Sequence, residues 1–205
     1  YYDPNDLERD WPRLRDDPTT PLVNRATQGL YAPGSTFKTL TLAVALDTGQ
    51  ARLDEKFDYV LRPGNPPSHS EIFHGFSVYC ANHQKAPPGS LSINLAEAYA
   101  ASCNVTFARL GVRLGHQRLA DYAGRFGFGQ ELPVEIASAP SQLSGTPGFL
   151  RDDAALASTA FGQGQLLVSP LQMTLITNAV ANGGRLLQPR VVASLSDAED
   201  KTIRT

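Results

Sequence analysis

Tyr31 to Gly49 read YAPGSTFKTLTLAVALDTG, and the rest of the chain is organised around this stretch. Ala32-Pro33-Gly34 is a turn, because proline fixes its own φ and glycine frees the backbone beside it. From Ser35 the residues turn helical. Phe37, Leu40, Leu42, Val44, Ala45 and Leu46 form a nearly all-round apolar run, which predicts a helix buried in the middle of a domain. Asp47-Thr48-Gly49 ends it, with glycine as the C′ residue. Ser35 and Lys38, three apart, share one face of the first turn. There the free backbone N–H groups and the positive end of the helix dipole favour developing negative charge. A serine nucleophile needs that arrangement, with a base in reach and donors ready for an oxyanion.

Alone, Ser-x-x-Lys is a weak signal, and its bland alternative is an N-cap serine with a solvated lysine one turn later. Context lifts it. Pro-Gly-Ser before a buried helix, with Ser-x-Asn far downstream at Ser102-Cys103-Asn104, is the combined pattern of serine acyl-transferases that bind penicillin. The block from Asn24-Arg25-Ala26-Thr27-Gln28-Gly29 to Pro33-Gly34-Ser35-Thr36-Phe37-Lys38 resembles the transpeptidase domain of class B penicillin-binding proteins. Phe161-Gly162-Gln163-Gly164 with Ser169-Pro170-Leu171-Gln172, and the opening Tyr2-Asp3-Pro4-Asn5, are similar to the same family. The resemblance covers nearly the whole chain. One departure matters: the family's third motif, Lys-Thr-Gly, is absent, since Lys201-Thr202 is followed by Ile203.

The resemblance implies a mainly α chain, residues 1–205 being a partial transpeptidase domain. It would be the helical part of an α+β fold, with most of the antiparallel sheet supplied by strands before residue 1 and after residue 205. It implies peptidoglycan cross-linking by acyl transfer on D-Ala–D-Ala stem peptides, with β-lactams as acylating inhibitors. Ser35 would be the nucleophile and Lys38 the base. Ser102 would relay a proton to the leaving amine, and Asn104 would hold Lys38 and the substrate amide. One oxyanion donor would be the N–H of Ser35; the other belongs to the strand of the missing motif, so the fragment alone is expected to be weak or inactive. No cofactor is implied. Other cell-wall synthesis proteins would be partners, on the extracytoplasmic face of the bacterial membrane, with the anchor outside this fragment. Two rivals stand beside this reading: a β-lactamase or β-lactam sensor, and a non-catalytic scaffold or binding module.

Composition narrows the field further. The chain has 205 residues, 41% of them hydrophobic, enough for one domain with a real core. A net charge of −2 without a basic cluster gives no reason to expect nucleic acid. No window approaches the ~18 consecutive apolar residues of a membrane span, and no signal-peptide pattern opens the chain. Gly162-Gln163-Gly164 lacks the Lys-Ser/Thr of a phosphate loop and reads as a tight structural turn.

In chain order, residues 1 to 30 carry charge and prolines and read as irregular, with short helical turns and Trp11 as a packing anchor. Asn24 and Arg25 are expected to brace the loop before Ser35. Lys56 to Leu61 is a candidate short strand, and Pro63 to Pro67 breaks it. Ser68 to Ser90 reads as loop and holds His69, His74, His83 and Cys80. Helices are expected over Leu91 to Ala101, Val105 to Leu114 with Gly115 as the stop, and Leu119 to Phe126. Gln130 to Phe149 reads as a long surface loop. Asp152 to Ala160 is a short helix, and Pro170 to Ala181 another, with Ser169 as its N-cap. Val191 to Leu195 and Thr202 onward form a candidate strand pair.

The two cysteines leave three readings open, in this order: a Cys80–Cys103 disulfide, two reduced buried thiols, or a zinc site. Zinc would use Cys80, His83 and Cys103 with His69 or His74.

Overall fold

This computed structural model describes residues 4–58, 61–62, 68–80 and 92–204. The proline-rich break at 63–67 and His83 lie outside them. The first helix, α1, is Leu7–Asp16, a more regular element than the irregular segment expected there, and it carries Pro12 inside it. Its surface is laced with ion pairs of Arg9 to Asp6 and Asp10 and of Arg15 to Asp16. Trp11 is 46% exposed, so it anchors no core and that expectation is corrected.

The buried helix after Pro33-Gly34 is α2, Lys38–Asp47, entered through a 3-10 turn, Gly34–Phe37. Phe37, Leu40, Thr41, Val44 and Ala45 have no exposed surface at all. Gly49 follows with φ +64, as the glycine stop requires. Short strands β1, Lys56–Asp58, and β2, Leu61–Arg62, come next.

The stretch read as a loop contains a hairpin instead. Strands β3, Ser68–Phe73, and β4, Phe76–Cys80, pair antiparallel in the order β2-β3-β4. His74 and Gly75 turn between them with φ of +44 and +85, the pair of positive angles that suits the right-handed twist of a two-residue hairpin loop. The helix expected from Leu91 divides at Asn94. Ser92–Asn94 is β5, paired with β1, and Leu95–Ala100 is α3. Asn94 and Glu97 close a reciprocal capping box at that boundary.

Helix α4, Asn104–Arg125, is broken at Gly115, whose φ of +77 is non-helical; the expected stop is a kink between two helical halves. Gly111 lets α4 approach the helix α5, Asp153–Ala160, so closely that a Cβ there would lie 2.3 Å from that of Ala160. Asp152 caps α5 by accepting from Ala155 N–H. Helix α6, Pro170–Ala181, starts as read, with Ser169 Oγ accepting from Gln172 N–H. Gln172, itself fully buried, donates to the Phe126 carbonyl and joins α6 to the end of α4. Residues 130–149 are irregular but not wholly superficial, since Leu132, Ser138 and Ser141 are buried. A last antiparallel pair, β6 (Leu195–Ser196) and β7 (Thr202–Arg204), sits later and is shorter than Val191 to Leu195 predicted. Among the described residues, helices therefore make the body and three small sheets decorate it. Among the described residues no helix is long and apolar enough to cross a membrane.

Candidate active site

Ser35 sits in the 3-10 turn and Lys38 is the first residue of α2, so the local winding alone brings their side chains together: Lys38 Nζ is 3.0 Å from Ser35 Oγ. Two contacts hold this turn from outside. Gly34 N–H donates to the Gly162 carbonyl, and Tyr31 and Val168 exchange backbone hydrogen bonds. Gly162, at φ +90, approaches so closely that a Cβ would fall 1.8 Å from the Gly34 oxygen. The Gly162-Gln163-Gly164 turn is thus the backing of the nucleophile loop. Thr41 Oγ1, donating to the Ala160 carbonyl, fastens the next turn of α2 to α5.

Ser102 and Asn104 reach the same point from the α3–α4 junction. Ser102 has φ +54, a left-handed conformation that a residue with a Cβ adopts only when its surroundings hold it. In that pose its carbonyl and Oγ each lie 2.9 Å from Lys38 Nζ, and Asn104 Oδ1 lies 2.7 Å away. Ser102 Oγ also donates to Ser35 Oγ at 2.9 Å. The structure therefore gathers all four residues singled out as catalytic, Ser35, Lys38, Ser102 and Asn104, into one hydrogen-bonded cluster. Asn104 is less free than expected: its Nδ2 already donates to the Tyr79 carbonyl, 3.1 Å away, leaving one amide hydrogen for a ligand.

Lys38 is 1% exposed, its four polar partners are neutral, and Nζ lies 5.7 Å from the Phe107 ring centre. Burial without a carboxylate partner disfavours the ammonium and pulls its pKa from 10.5 down to about 8. The carbonyl of Ser102 and Oδ1 of Asn104 can only accept. In neutral Lys38 they take the two N–H groups and leave the lone pair facing the two hydroxyls. The arrangement can accept a proton from Ser35 and pass one through Ser102.

Cys80 and Cys103 form a disulfide, 4.9 Å between Cα atoms. That bond consumes both sulfurs of the zinc alternative, Cys80, His83 and Cys103, which is corrected accordingly. His69 lies in β3, and His74 at the hairpin turn faces Asp152 and Asp153. Asn24 and Arg25 act locally: Asn24 Oδ1 accepts from Ala26 N–H and Arg25 donates to the Thr19 carbonyl. The residue missed by sequence reasoning is Tyr79, whose contribution is a main-chain oxygen and so leaves no trace in side-chain identity.

The family model "Penicillin binding protein transpeptidase domain" matches residues 1–204. This chain belongs to that family. It is 35% identical to the peptidoglycan D,D-transpeptidase PbpA of Mycolicibacterium smegmatis, over all of this chain and 41% of that protein. Penicillin-binding protein 3 of Bacillus subtilis is 26% identical over 97% of this chain and 29% of its own length. Among solved structures, a ceftriaxone acyl-enzyme complex of penicillin-binding protein A from M. tuberculosis matches with a TM-score of 0.79. It is 33% identical over the whole of this chain and 44% of that one. The chain thus spans less than half the length of these relatives.

Proposed function

We propose that this chain is the helical, nucleophile-bearing part of a peptidoglycan D,D-transpeptidase, residues 1–205 forming a partial transpeptidase domain. The observation that carries the reading is the hydrogen-bonded cluster of Ser35, Ser102 and Asn104 around the buried amine of Lys38. Neutral Lys38 takes the Ser35 proton as Oγ attacks the carbonyl carbon of the D-Ala–D-Ala peptide bond. The tetrahedral intermediate collapses by breaking the C–N bond. The proton travels from Lys38 through Ser102 to the departing amine, and D-alanine leaves. An amine of a second stem peptide then attacks the acyl-enzyme and releases Ser35. With a β-lactam the ring amide replaces the peptide bond, and the amine stays attached to the acyl group, so the acyl-enzyme persists.

The relatives' names support the substrate class, and the acyl-enzyme complex of the M. tuberculosis protein supports β-lactams as acylating ligands. The oxyanion hole is half-built in this reading. Ser35 N–H gives one donor, and the strand of a Lys-Thr-Gly motif, which Lys201-Thr202-Ile203 does not supply, would give the second. Loss of one such donor costs about 10²–10³ in rate, so the 205 residues alone acylate slowly. The site faces the extracytoplasmic side, on a protein anchored by a segment outside these residues, beside other cell-wall synthesis proteins.

Intact mass spectrometry before and after incubation with a penicillin tests the reading. A lasting adduct that maps to Ser35 and vanishes in Ser35→Ala is the expected result. An adduct that forms and hydrolyses within minutes would indicate a β-lactamase. Covalent labelling that survives Ser35→Ala would refute the nucleophile.

A further inference from the structure

The β3–β4 hairpin contributes no side chain to the reacting cluster, yet its last two residues hold the Ser102-Cys103-Asn104 turn, and Val105 just after it, in three ways. Cys80 is bonded to Cys103, between the two catalytic residues. The Tyr79 carbonyl accepts from Asn104 Nδ2 at 3.1 Å. Cys80 Sγ also accepts from Val105 N–H at 3.2 Å, capping the first turn of α4, where the N-cap residue Cys103 makes no side-chain cap of its own. Both sulfurs are buried, Cys80 at 4% and Cys103 at 3% exposure. The hairpin is itself fixed to α4 one end further on, where Arg109 on that helix pairs with Glu71 and donates to the Asp58 carbonyl.

These ties meet a turn that needs them. Ser102 is held left-handed, and that conformation is what aims both its carbonyl and its hydroxyl at Lys38. Released, a serine favours right-handed or extended angles, and either would turn the carbonyl away from Nζ and open the amine to water. We propose that the Cys80–Cys103 disulfide and the Tyr79 carbonyl are positioning groups for the acyl-transfer reaction, forming a covalent brace that keeps Ser102 and Asn104 on Lys38. The consequence for catalysis rests on the acyl-transferase reading above; the brace itself rests on the geometry alone.

The test reduces the native chain with a water-soluble phosphine. The phosphine supplies the electron pair that breaks the S–S bond and becomes the phosphine oxide, while water provides its oxygen and the two thiol protons. The chain has four lysines, so lysine labelled at Cε with ¹³C gives four resonances, and Lys38→Met assigns the one that matters. In the oxidised chain the Lys38 signal titrates well below the ordinary lysine value of 10.5. On reduction its midpoint is expected to rise by at least one pH unit, and acylation by a fluorescent penicillin at pH 7 to slow about tenfold or more. A Cys80→Ser/Cys103→Ser double variant repeats the experiment without reductant, and circular dichroism confirms that helix content is kept. An unchanged Lys38 titration with an unchanged acylation rate overturns the brace. So does global unfolding on reduction, which would make the bond a general staple. Absence of any Ser35 adduct in the oxidised chain defeats the acyl-transfer reading instead, and the lysine titration still decides the brace.

Discussion

Four acceptor atoms surround one amine at Lys38, and an ammonium has only three hydrogens to give them. The neutral form fits better, with two N–H groups on the acceptor-only oxygens and a lone pair towards the hydroxyls. The lowered pKa of about 8 follows from burial and has two consequences at this residue. For acylation, the competent amine grows about tenfold per pH unit below about 8 and levels off above it, so the second-order rate of penicillin labelling should do the same. Asn104→Asp would set a carboxylate in place of the amide 2.7 Å from Nζ, favour the ammonium and move the inflection upward. A rate that is flat from pH 6 to 9 would contradict both. For stability, the folded pKa lies below the unfolded value of 10.5, so the unfolded chain binds the extra proton between these two pH values and stability rises with pH across that window. Below about 8 both states are charged and the burial cost is fully felt. Lys38→Met, which fills the same space without a charge, removes this titration, so its stability relative to the native chain should be at its most favourable below pH 8. That advantage should shrink towards pH 10.5, as urea unfolding at several pH values would register.

At the level of elements, the nucleophile loop is only as well placed as the turn behind it. Gly162→Ala forces a Cβ onto the Gly34 oxygen in a conformation, φ +90, that no side chain favours. Loss of about 2–4 kcal/mol in unfolding free energy is expected, together with a fall in Ser35 labelling. Gly183→Ala is the control: its φ is also positive, at +63, but nothing lies within 4 Å. It should cost about 1 kcal/mol and leave labelling unchanged. If both variants label alike, the turn does not position the loop. What could be read from sequence divides along the same line. Helix α2, the break at Gly115, the start of α6 at Ser169-Pro170 and the pairing of Ser35 with Lys38 are set by neighbours a few residues apart, and all were legible. The β3–β4 hairpin was not, because the His74-Gly75 turn is an uncommon pair for positive φ and strand pairing is a non-local choice. The Asn94-x-x-Glu97 box was there to be read, but the apolar pattern from Leu91 masked the helix start. Helix α1 was obscured by Pro12, and the exposure of Trp11 depends on what packs nearby, which no local pattern records. At the site, Ser102 and Asn104 were recognisable as a motif. Their left-handed turn and its tie to the Tyr79 carbonyl were not, since both are backbone properties.

Across the whole molecule, burial is unevenly spread. Among the described residues, the side chains with no exposed surface come from α2, α3, the first half of α4, α5 and α6, with Phe37, Leu119, Leu166 and Ser169 beside them. From Asn182 to Ile203 every residue except Pro189 and Asp197 is exposed, including Leu187, Val191, Val192 and Ile203. This stretch meets the 130–149 segment through Gln188 donating to the Pro133 carbonyl and Val191 N–H donating to Glu135. Exposed hydrogen bonds of this kind contribute about 1 kcal/mol each, far less than a buried helix face, so the stretch opens at low free energy while the helical body stays closed. Brief trypsin treatment should therefore cut first at Arg185 or Arg190, leaving a body that ends just after α6 and keeps Ser35, Lys38, Ser102 and Asn104 together. The body's melting temperature should change little, and its penicillin labelling should match that of the uncut chain, because no residue of the cluster lies beyond α6. Mass spectrometry of the digest, with labelling before and after cleavage, reads both quantities. First cuts within α2 or α4, or loss of labelling on removal of the last twenty residues, would mean that the terminal stretch supports the site and that its exposure is a poor guide to its role.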